Sequence, residues 1–493
     1  MAGAALVETH TAIVVFVGDR AYKVKKPVAL GFLDFSTLDA RHRACEREVA
    51  LNRRLAPDVY LGVAEIRDPQ GAPCEYAVVM RRMPEDRRLT ACLARGDDVR
   101  PALWRVAHQL ASLHAASDPS RAPEGVADVA TVGQRWDDNF AAVRPLAGRV
   151  DGGAVFDAGV AERVEQLVHR YLDGRAELFD RRIRDGRVRD GHGDLQADDI
   201  FVLGDGPRVL DCLEFDDRLR WDDELDDVAF LAMDLERLGH ADLASAFLGW
   251  HRELSGDAWP ASLAHHYVAY RAHIRAKVNA IRYTQGDAPS AAAARGLLDL
   301  AAEHLEAARV RLVLVGGLPG TGKSTVAAAL GDELGYPVLR TDDLRGLDAD
   351  RAAARAAPGG RPRYGEGRYR PELVDATYDR LLDEAAELLR MGEPVILDAS
   401  WSAADRRARA RATAAREVAD VVELRCVAPA DVAAARIRAR LAEGADASEA
   451  TPEIASAMTA VFDPWPEAHE IDTTGSVADA VAACCDHVRR ART

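Results

Sequence analysis

Lysine is scarce in this sequence: only five of its 64 basic residues are lysines, and all the others are arginines. Genomic composition accounts for the arginines, but an ammonium is a compact point charge that a planar guanidinium does not replace. The five lysines are Lys23, Lys25, Lys26, Lys277 and Lys323. Four of them fall in two short segments, so chance explains their positions poorly.

Three other absences exclude whole classes of protein. No apolar run is long enough to span a bilayer and no signal peptide is recognisable, which predicts a cytoplasmic protein without a membrane partner. The seven cysteines show no CxxC spacing, which favours reduced thiols over a zinc site or a disulfide framework. The net charge of −16 weighs against a dedicated nucleic-acid or membrane-surface binder.

The chain is long enough, at 493 residues, for more than one domain. A β-hairpin pattern at 12–25 opens a strand-rich segment, and mainly helical patterns follow from about residue 85. The Gly-Asp-Ala-Pro-Ser stretch at 286–290 is the best linker candidate. From 310 onward strands and helices alternate, which is typical of a parallel sheet covered on both faces.

The segment GLPGTGKS at 317–324 matches the P-loop pattern GxxxxGK[ST] between an apolar strand and a helix. Its glycines let backbone N–H groups close around phosphate oxygens at a helix N-terminus. Lys323 is expected to reach the β- and γ-phosphates of ATP, and Ser324 to hold Mg²⁺ through its hydroxyl. The predicted nucleotide-binding residues here are Gly317, Gly320, Thr321, Gly322, Lys323, Ser324 and Thr325.

The second strand of this region ends in LRTDDLR. The order strand, P-loop, helix, strand and Asp-x-x-Arg resembles the small P-loop kinases of the polynucleotide-kinase, zeta-toxin and gluconate-kinase type. The resemblance covers about residues 310–493 and implies that Asp342 acts on the substrate hydroxyl, with Arg345 contacting substrate or phosphate. Asp343 is an adjacent alternative, and an Asp at this place is also a common helix N-cap.

Three further residues fit such a kinase. Asp398 ends the apolar strand PVIL and is a candidate to support Mg²⁺ or its water shell. The segment RIRARL resembles the arginine lid of these kinases, with Arg436 and Arg440 one helical turn apart. The alternative is a solvated arginine-rich helix face. Trp401 and Trp465 are expected to be core residues.

A second constellation lies in the N-terminal part. The triplet His192-Gly193-Asp194 followed by Asp199 has the spacing of a kinase catalytic loop, with Asp where Asn is usual. Asp211 follows at the end of the predicted strand RVLD. Carboxylates in this order can take a hydroxyl proton and ligate Mg²⁺. With the lysine hairpin and a helix bearing Glu48, this resembles the aminoglycoside-phosphotransferase and choline-kinase-like family.

That resemblance covers roughly residues 1–305 and implies particular roles. Asp194 would be the catalytic base and Asp211 the principal Mg²⁺ ligand, with Asp199 as a second ligand. Lys23 would hold the α- and β-phosphates and Glu48 would pair with it. Lys25 remains an alternative to Lys23, and Glu46 remains an alternative to Glu48. His192 is expected to support the loop through hydrogen bonds.

Three more residues are candidates for substrate contact. Glu214 and Asp226 fall where the family keeps acidic residues for substrate or loop support, although a solvated acidic stretch is an equal alternative. Lys277 lies among arginines in a helical segment, which is either a cationic wall facing a substrate or an exposed helix. Asp199 adds negative charge beside the other two aspartates, so a non-catalytic module is also an alternative.

The predicted fold class is therefore mixed α/β and α+β in two domains. Residues 1–305 form a protein-kinase-like bilobal domain, with a small β-rich lobe at about 1–85 and a larger helical lobe at about 86–305. Residues 310–493 form a doubly wound parallel-sheet P-loop domain.

The predicted function is a bifunctional ATP-dependent phosphotransferase with two Mg-ATP sites and small-molecule hydroxyl acceptors. The alternatives are a single catalytic module with a regulatory nucleotide-binding partner, and a polynucleotide 5′-hydroxyl kinase, against which the acidic balance weighs. The acceptors and the oligomeric state are not predicted.

Overall fold

The computed structural model describes residues 5–9, 11–30, 33–148, 154–347, 370–443 and 451–490. These residues belong to two compact units. The first comprises Met1–Val168, Phe179–Trp259 and Leu263–Ala307, and the second comprises His169–Leu178, Pro260–Ser262 and Ala308–Thr493. None of the described helices is long and apolar enough to cross a membrane.

The first unit begins with a small lobe built on an antiparallel sheet. Its elements are β1 (Ala5–Glu8), β2 (Ala12–Val17), β3 (Arg20–Lys25), β4 (Ala29–Leu30), β5 (Leu33–Asp34), α1 (Leu38–Asn52), β6 (Tyr60–Arg67) and β7 (Pro73–Arg81). Five strands pair in the order β1-β2-β3-β7-β6, and α1 packs against β7 and β6. The predicted hairpin is confirmed, with Gly18 at φ +60° in its two-residue turn. Because side chains alternate along β3, Lys23 and Lys25 share one face.

The large lobe is mainly helical. Its elements are α2 (Leu89–Arg95), α3 (Arg100–Ala116), α4 (Val129–Val143), β8 (Ala147–Gly148), β9 (Phe156–Asp157), α5 (Ala158–Asp173), α6 (Ala176–Arg184), β10 (Val188–Asp190), β11 (Ile200–Leu203), β12 (Gly206–Val209), β13 (Trp221–Asp223), α7 (Glu224–Arg237), α8 (Ala241–Ser255), α9 (Ala261–Thr284) and α10 (Ser290–Ala307). Strand β10 pairs with β13, and β11 pairs with β12. These two pairs carry the loops that follow β10 and β12.

Those two loops are joined by backbone hydrogen bonds. The Leu213 N–H donates to the His192 carbonyl oxygen at 3.0 Å, and the Leu210 N–H donates to the Asp199 carbonyl oxygen at 3.0 Å. The sequence predicts that Asp211 ends a strand. Strand β12 instead ends at Val209, so Asp211 lies in the loop that follows it. The fold thus brings two distant acidic segments of the chain together.

The stretch at 286–290 is not a linker between domains. It forms the turn between α9 and α10, and α10 belongs to the first unit. Leu297 and Leu298 on this helix are buried, and α10 contacts α7. The Pro and Gly in this stretch therefore reverse the chain between two packed helices.

The second unit contains a five-stranded parallel sheet in the order β15-β16-β14-β17-β18. Its elements are β14 (Arg311–Gly316), α11 (Lys323–Leu334), β15 (Val338–Arg340), α12 (Thr341–Leu347), α13 (Pro371–Arg390), β16 (Val395–Asp398), α14 (Ala404–Arg416), β17 (Asp420–Val427), α15 (Ala430–Glu443), α16 (Pro452–Ala460), β18 (His469–Asp472) and α17 (Val477–Arg490). Every residue of β14 and β16 is buried, as expected for a sheet covered on both faces. The predicted fold class is confirmed.

We expect α10 to contribute to the stability of the first unit. Leu297→Ala should lower the free energy of unfolding by about 2–5 kcal/mol, because it opens a cavity at a buried position. Urea denaturation of the full chain measures this loss. The exposed neighbour Asp299 provides the matched control, because Asp299→Ala should change stability by about 0.5 kcal/mol or less. Equal effects of the two substitutions would contradict the packing of α10.

Candidate functional site

A buried carboxylate organises the lysines of the small lobe. Glu48 on α1 contacts the ammonium of Lys23 through Oε1 at 2.9 Å and that of Lys25 through Oε2 at 2.6 Å. Lys23 also contacts Asp211 Oδ1 at 2.5 Å, and Lys25 contacts Glu214. The structure thus brings the predicted lysine, glutamate and aspartate together.

The two lysines differ in environment. The Lys23 side chain is 14% exposed and that of Lys25 is 2% exposed. Burial opposes the Lys23 ammonium, but Asp211 and Glu48 outweigh it and raise the pKa of Lys23 well above its ordinary value. Lys23, in turn, lowers the pKa of Asp211. Lys23 is therefore a fixed cation that faces the large lobe.

The neighbouring glutamates also differ. Glu46 is exposed and lies 3.4 Å from His42, whereas Glu48 is fully buried. Helical spacing turns the two side chains of α1 in different directions, so only Glu48 meets the lysines. The alternative assignment to Glu46 has no structural support.

Asp211 adopts an uncommon backbone conformation. Its φ is +64°, which is rare outside glycine and marks strain that the surroundings must stabilise. Its N–H donates to the hydroxyl of Tyr60 at 3.1 Å. The conformation leaves the carboxylate 52% exposed beside Lys23. Strain of this kind is concentrated at functional sites.

The loop that carries Asp194 is held by a carboxylate that the sequence reasoning missed. Asp227 accepts hydrogen bonds from the backbone N–H groups of His192 at 2.9 Å and Gly193 at 2.8 Å. It also lies 2.9 Å from Nε2 of His114. The imidazole of His192 contacts the Leu210 carbonyl oxygen at 2.9 Å, which agrees with its predicted supporting role. Asp227 belongs to the acidic stretch WDDELDD, but no sequence signal distinguished it there.

Asp194, Asp199 and Asp211 influence one another electrostatically. Burial raises the pKa of Asp194, and Arg275 is the first of the charges that oppose this. Burial, together with Asp211 and Asp194, raises the pKa of Asp199 well above its ordinary value. The fold has therefore gathered like charges, an arrangement that a cation would relieve.

The donor set fits Mg²⁺ in its chemistry. Among the described residues no group of three acidic, histidine or cysteine side chains converges as a metal cage. Mg²⁺ does not require one, because it is commonly held by one or two carboxylates together with substrate phosphates. Asp199 and Asp211 are the side chains that would supply those carboxylates.

The other substrate candidates of the first unit already have protein partners. Glu214 is buried against Lys25, and Asp226 makes a two-pronged ion pair with Arg271 at 2.7 and 2.8 Å. The ammonium of Lys277 donates to the side-chain oxygen of Asn139. Burial lowers the pKa of Lys277. These contacts favour supporting roles for Glu214 and Asp226.

In the second unit, the P-loop has the geometry that its glycines predict. Gly317, Gly320 and Gly322 have φ values of +139°, +82° and +82°. A Cβ on Gly317 would lie 2.5 Å from the Cys426 carbonyl oxygen, and one on Gly320 would lie 2.4 Å from the Ala433 carbonyl oxygen. Both conformation and space therefore require glycine. Lys323 and Ser324, both half-buried, are the first residues of α11, with Thr325 exposed after them.

Asp398 lies beside the P-loop strand with one oxygen unused. Its Oδ2 accepts from Nε of Arg340 at 3.1 Å, while Oδ1 is buried and has no hydrogen-bond partner among the described residues. Register pairing sets Asp398 opposite Val315 on β14, near the end of that strand. A buried acceptor without a partner needs a ligand such as water or an ion. The residue fits a role in supporting Mg²⁺ or its water.

The first turn of α12 carries the predicted hydroxyl-directed acids. Asp342 is half-buried and Asp343 is exposed, the latter 3.9 Å from Nη1 of Arg340. Burial lowers the pKa of Arg340, but Asp398, Asp343 and Asp342 outweigh it and raise the value. The Arg345 side chain and the glycine- and arginine-rich segment at 358–369 lie outside the described residues.

Arg436 reaches the P-loop through a threonine that sequence reasoning missed. Its Nη2 donates to the Thr473 carbonyl oxygen at 2.6 Å, and the Thr473 hydroxyl donates to the Thr321 carbonyl oxygen at 2.7 Å. Arg440 follows one turn later on α15 and is half-buried. The helix α15 thus brings one of its predicted arginines to the phosphate-binding loop.

The two tryptophans of this unit are core residues, as expected. Trp401 is fully buried and Trp465 is 5% exposed. Trp465 packs so closely on Gly316 that a Cβ there would lie 2.4 Å from its ring. Its indole N–H donates to Glu423. Trp401 and Trp465 both pack against Gly316, the last residue of β14, just before the P-loop.

Comparison with known proteins places the chain in a family. Uncharacterized protein Rv2004c of Mycobacterium tuberculosis (strain H37Rv) is 45% identical over 468 residues, which are 95% of this chain and 92% of the relative. Uncharacterized protein Mb2027c of Mycobacterium bovis matches to the same extent. The chain belongs to the family of these mycobacterial proteins. Residues 312–465 of this chain match the model of an AAA domain, which confirms the predicted P-loop domain.

Solved structures resemble parts of the chain. A choline/ethanolamine kinase family protein from Mesorhizobium loti is 14% identical and covers 62% of this chain and 92% of its own, with a TM-score of 0.38. A gluconokinase from Sinorhizobium meliloti 1021 is 18% identical and covers 37% of this chain and 93% of its own, with a TM-score of 0.28. The APS kinase CysC of Mycobacterium tuberculosis is 24% identical and covers 36% of this chain and 98% of its own, with a TM-score of 0.28.

The P-loop geometry leads to a test of Gly320. Gly320→Ala should abolish ATP binding at the P-loop, because the new methyl group would meet the Ala433 carbonyl oxygen. Lys323→Ala should remove the same ATP-binding signal and so identifies it. Calorimetric titration of the full chain with ATP measures this. Gly335→Ala is the matched control, since Gly335 also has a positive φ but open space around it. If both variants lost ATP affinity equally, backbone conformation alone would account for the effect, and the close contact at Gly320 would not.

The Asp227 anchor leads to a pH-dependent test. Burial raises the pKa of Asp227, but His114 and the loop N–H groups outweigh it and lower the value well below the ordinary one. The stabilisation is therefore complete above the unfolded pKa of about 3.9 and is lost as pH falls toward the folded value. At pH 7, Asp227→Asn should cost about 3–5 kcal/mol.

The free energy of unfolding of wild type and Asp227→Asn, measured in urea at pH 7, 4 and 3, checks this prediction. The difference in the free energy of unfolding between wild type and Asp227→Asn should become smaller at pH 3 than at pH 7. A constant difference across the series would show that the charge of Asp227 is not what stabilises the loop. Asp198→Asn, at an exposed position near the same loop, is the control for removing one acidic charge.

Proposed function

We propose that this protein is a bifunctional ATP-dependent phosphotransferase with one Mg-ATP site in each unit and hydroxyl-bearing small molecules as acceptors. The observation that carries the proposal is the convergence of Lys23, Glu48 and Asp211 from separate parts of the first unit. In the second unit, the P-loop lies beside a buried carboxylate with a free oxygen. Each set contains the groups that phosphoryl transfer requires.

In the first unit, Lys23 is the better candidate for the α- and β-phosphates. It faces Asp211 and is partly exposed, whereas Lys25 is enclosed between Glu48 and Glu214. Glu48 would orient Lys23 from behind. Phosphate oxygens would share or replace the contact that Asp211 now makes with the ammonium.

Asp194 is the proposed base at this site. The acceptor hydroxyl oxygen would form a bond to the γ-phosphorus while the bond from that phosphorus to the β–γ bridging oxygen breaks. The hydroxyl proton passes to the Asp194 carboxylate and ADP leaves. Because the backbone of this loop is held by Asp227, the carboxylate is positioned before substrate binds.

Asp199 and Asp211 are the proposed Mg²⁺ ligands of the first site, and Ser324 and Asp398 those of the second. Mg²⁺ held by these residues would neutralise charge on the β- and γ-phosphates. The buried, unpartnered Oδ1 of Asp398 supports this assignment, because it lacks any other protein donor among the described residues.

In the second unit, the P-loop N–H groups and Lys323 would hold the triphosphate. Asp342 would orient the acceptor hydroxyl and take its proton, with Arg345 contacting the acceptor. Arg436 and Arg440 would neutralise the transferring phosphoryl group. Contact between Arg436 and Thr473, which is itself bonded to the loop, supports that position.

The second candidate is a chain with one catalytic unit and one nucleotide-binding regulator. The observation that favours it is the crowding of Asp199 by the carboxylates of Asp211 and Asp194, which together with burial raises the pKa of Asp199. The additional negative charge at Asp199, where Asn is usual, would make transfer at the first site slow. The P-loop unit would then be the catalyst.

Two substitutions in the full chain distinguish these functions. ADP release is screened across hydroxyl-bearing metabolites with Asp194→Asn and Lys323→Ala separately. We expect Asp194→Asn to lose turnover of one acceptor by at least about 100-fold, as loss of a general base typically costs that much. Lys323→Ala, which removes a phosphate ligand, should lose turnover of a different acceptor. Glu303→Gln, at an exposed position of α10, is the control. Unchanged ADP release in Asp194→Asn under every condition would remove the first unit as a catalyst.

A further inference from the structure

The loop that carries Asp194 is held on both sides by helix α7. Asp227 of this helix accepts hydrogen bonds from the two backbone N–H groups that precede Asp194, at 2.9 and 2.8 Å. Further along the helix, Oδ2 of Asp234 accepts from the Ala197 N–H at 3.0 Å, while its Oδ1 accepts from Nε of Arg237 at 2.8 Å. Both carboxylates are buried, and their spacing of two helical turns puts them on one face of α7. The backbone is therefore fixed before and after Asp194.

Gln196 lies inside this fixed segment and reaches the proposed base. Its Nε2 donates to Oδ2 of Asp194 at 3.1 Å. The backbone of Gln196 is extended, with φ −118° and ψ 153°, and Leu195 before it is fully buried. Because side chains alternate in an extended chain, Asp194 and Gln196 project away from the core on the same side. Both residues are half-buried, so the hydrogen bond between them is partly shielded from water.

This contact distinguishes the two oxygens of the Asp194 carboxylate. Oδ2 accepts from the amide of Gln196, whereas no donor among the described residues forms a hydrogen bond with Oδ1. A primary amide is a neutral donor, so it orients a carboxylate without the strong loss of basicity that a paired lysine or arginine causes. Oδ1 is thus the open oxygen of a carboxylate whose rotation is restricted.

We propose that Gln196 is the positioning residue for the base of the first unit: it holds Oδ2 of Asp194 and leaves Oδ1 to take the proton of the acceptor hydroxyl. This inference rests on the proposed phosphotransferase function. As the acceptor oxygen bonds to the γ-phosphorus and the bond to the β–γ bridging oxygen breaks, the proton passes to Oδ1. In this role Gln196 acts through Asp194 and contacts neither ATP nor the acceptor.

The test uses the full chain with Lys323→Ala, so that ATP turnover reports the first unit alone. The probe is ATP with water as the acceptor, which yields ADP and inorganic phosphate and passes its proton to the same base. The rate that Asp194→Ala removes is the activity of this site. Gln196→Leu removes the donor, and Gln196→Glu keeps the size but only accepts when ionised. Gln196→His keeps an N–H donor at the same number of bonds from Cβ.

We expect Gln196→Leu and Gln196→Glu to lower kcat by about tenfold or more, the loss of a hydrogen bond to a charged group, with KM for ATP little changed. Gln196→His should retain most of the wild-type kcat. Gln70→Leu, at an exposed position of the turn between β6 and β7, is the matched control and should leave kcat unchanged. In urea, Asp194→Ala and Gln196→Leu should change the free energy of unfolding non-additively, because the two side chains touch.

The outcomes separate the inference from the function on which it rests. An unchanged kcat in Gln196→Leu, an equal loss in Gln196→Leu and Gln196→His, or a loss confined to KM overturns the positioning role, while turnover that Asp194→Ala removes still upholds the function. If Asp194→Ala removes no turnover, the proposed function is rejected and the positioning role with it. Non-additive unfolding in that case would reduce Gln196 to a structural contact of the loop.

Discussion

The contact between Glu48 and two lysines is the interaction on which the first unit depends. A fully buried carboxylate pairs with Lys23 and Lys25, and these pair in turn with Asp211 and Glu214 of the large lobe. Buried charges are costly to desolvate, and removal of one partner leaves the others uncompensated. The network therefore ties α1 and β3 to the loop of Asp211 only in one arrangement. It also explains why an arginine-rich chain keeps lysines here, since two compact ammonium groups fit around one carboxylate where two planar guanidinium groups would not.

The second unit depends on a different constraint, which is close backbone packing. The P-loop glycines lie against carbonyl oxygens of Cys426 and Ala433, and Gly316 lies against the ring of Trp465. Side chains at these positions would push the loop away from β17 and α15. The glycine residues therefore serve the packing of the loop as well as its conformation. Because α15 is held this close, Arg436 reaches the loop through Thr473.

Most candidate residues of the two proposed sites could be chosen from the sequence, because their signals are local. Lys323 and its glycines stand in one short motif between a strand and a helix, and Asp194 stands in another. The choice between Lys23 and Lys25 could not be made, because they alternate on one strand and differ only in what lies opposite. Asp227 and His114 were missed since one is an unremarkable acid in an acidic stretch and the other a lone histidine in a helix. The Gly-Asp-Ala-Pro-Ser turn at 286–290 was misinterpreted, because turn chemistry is the same between helices as between domains.

The amino-acid sequence alone indicated two candidate phosphate-binding motifs and supplied the residue types available for chemistry, because each motif depends on neighbours along the chain. Which charges are satisfied follows only from the folded structure. The sequence left open whether Glu214 and Asp226 face substrate or solvent, yet each meets a cation from a distant strand or helix. Pairing of charges depends on distances between elements far apart in the chain, and that information exists only once the chain has folded.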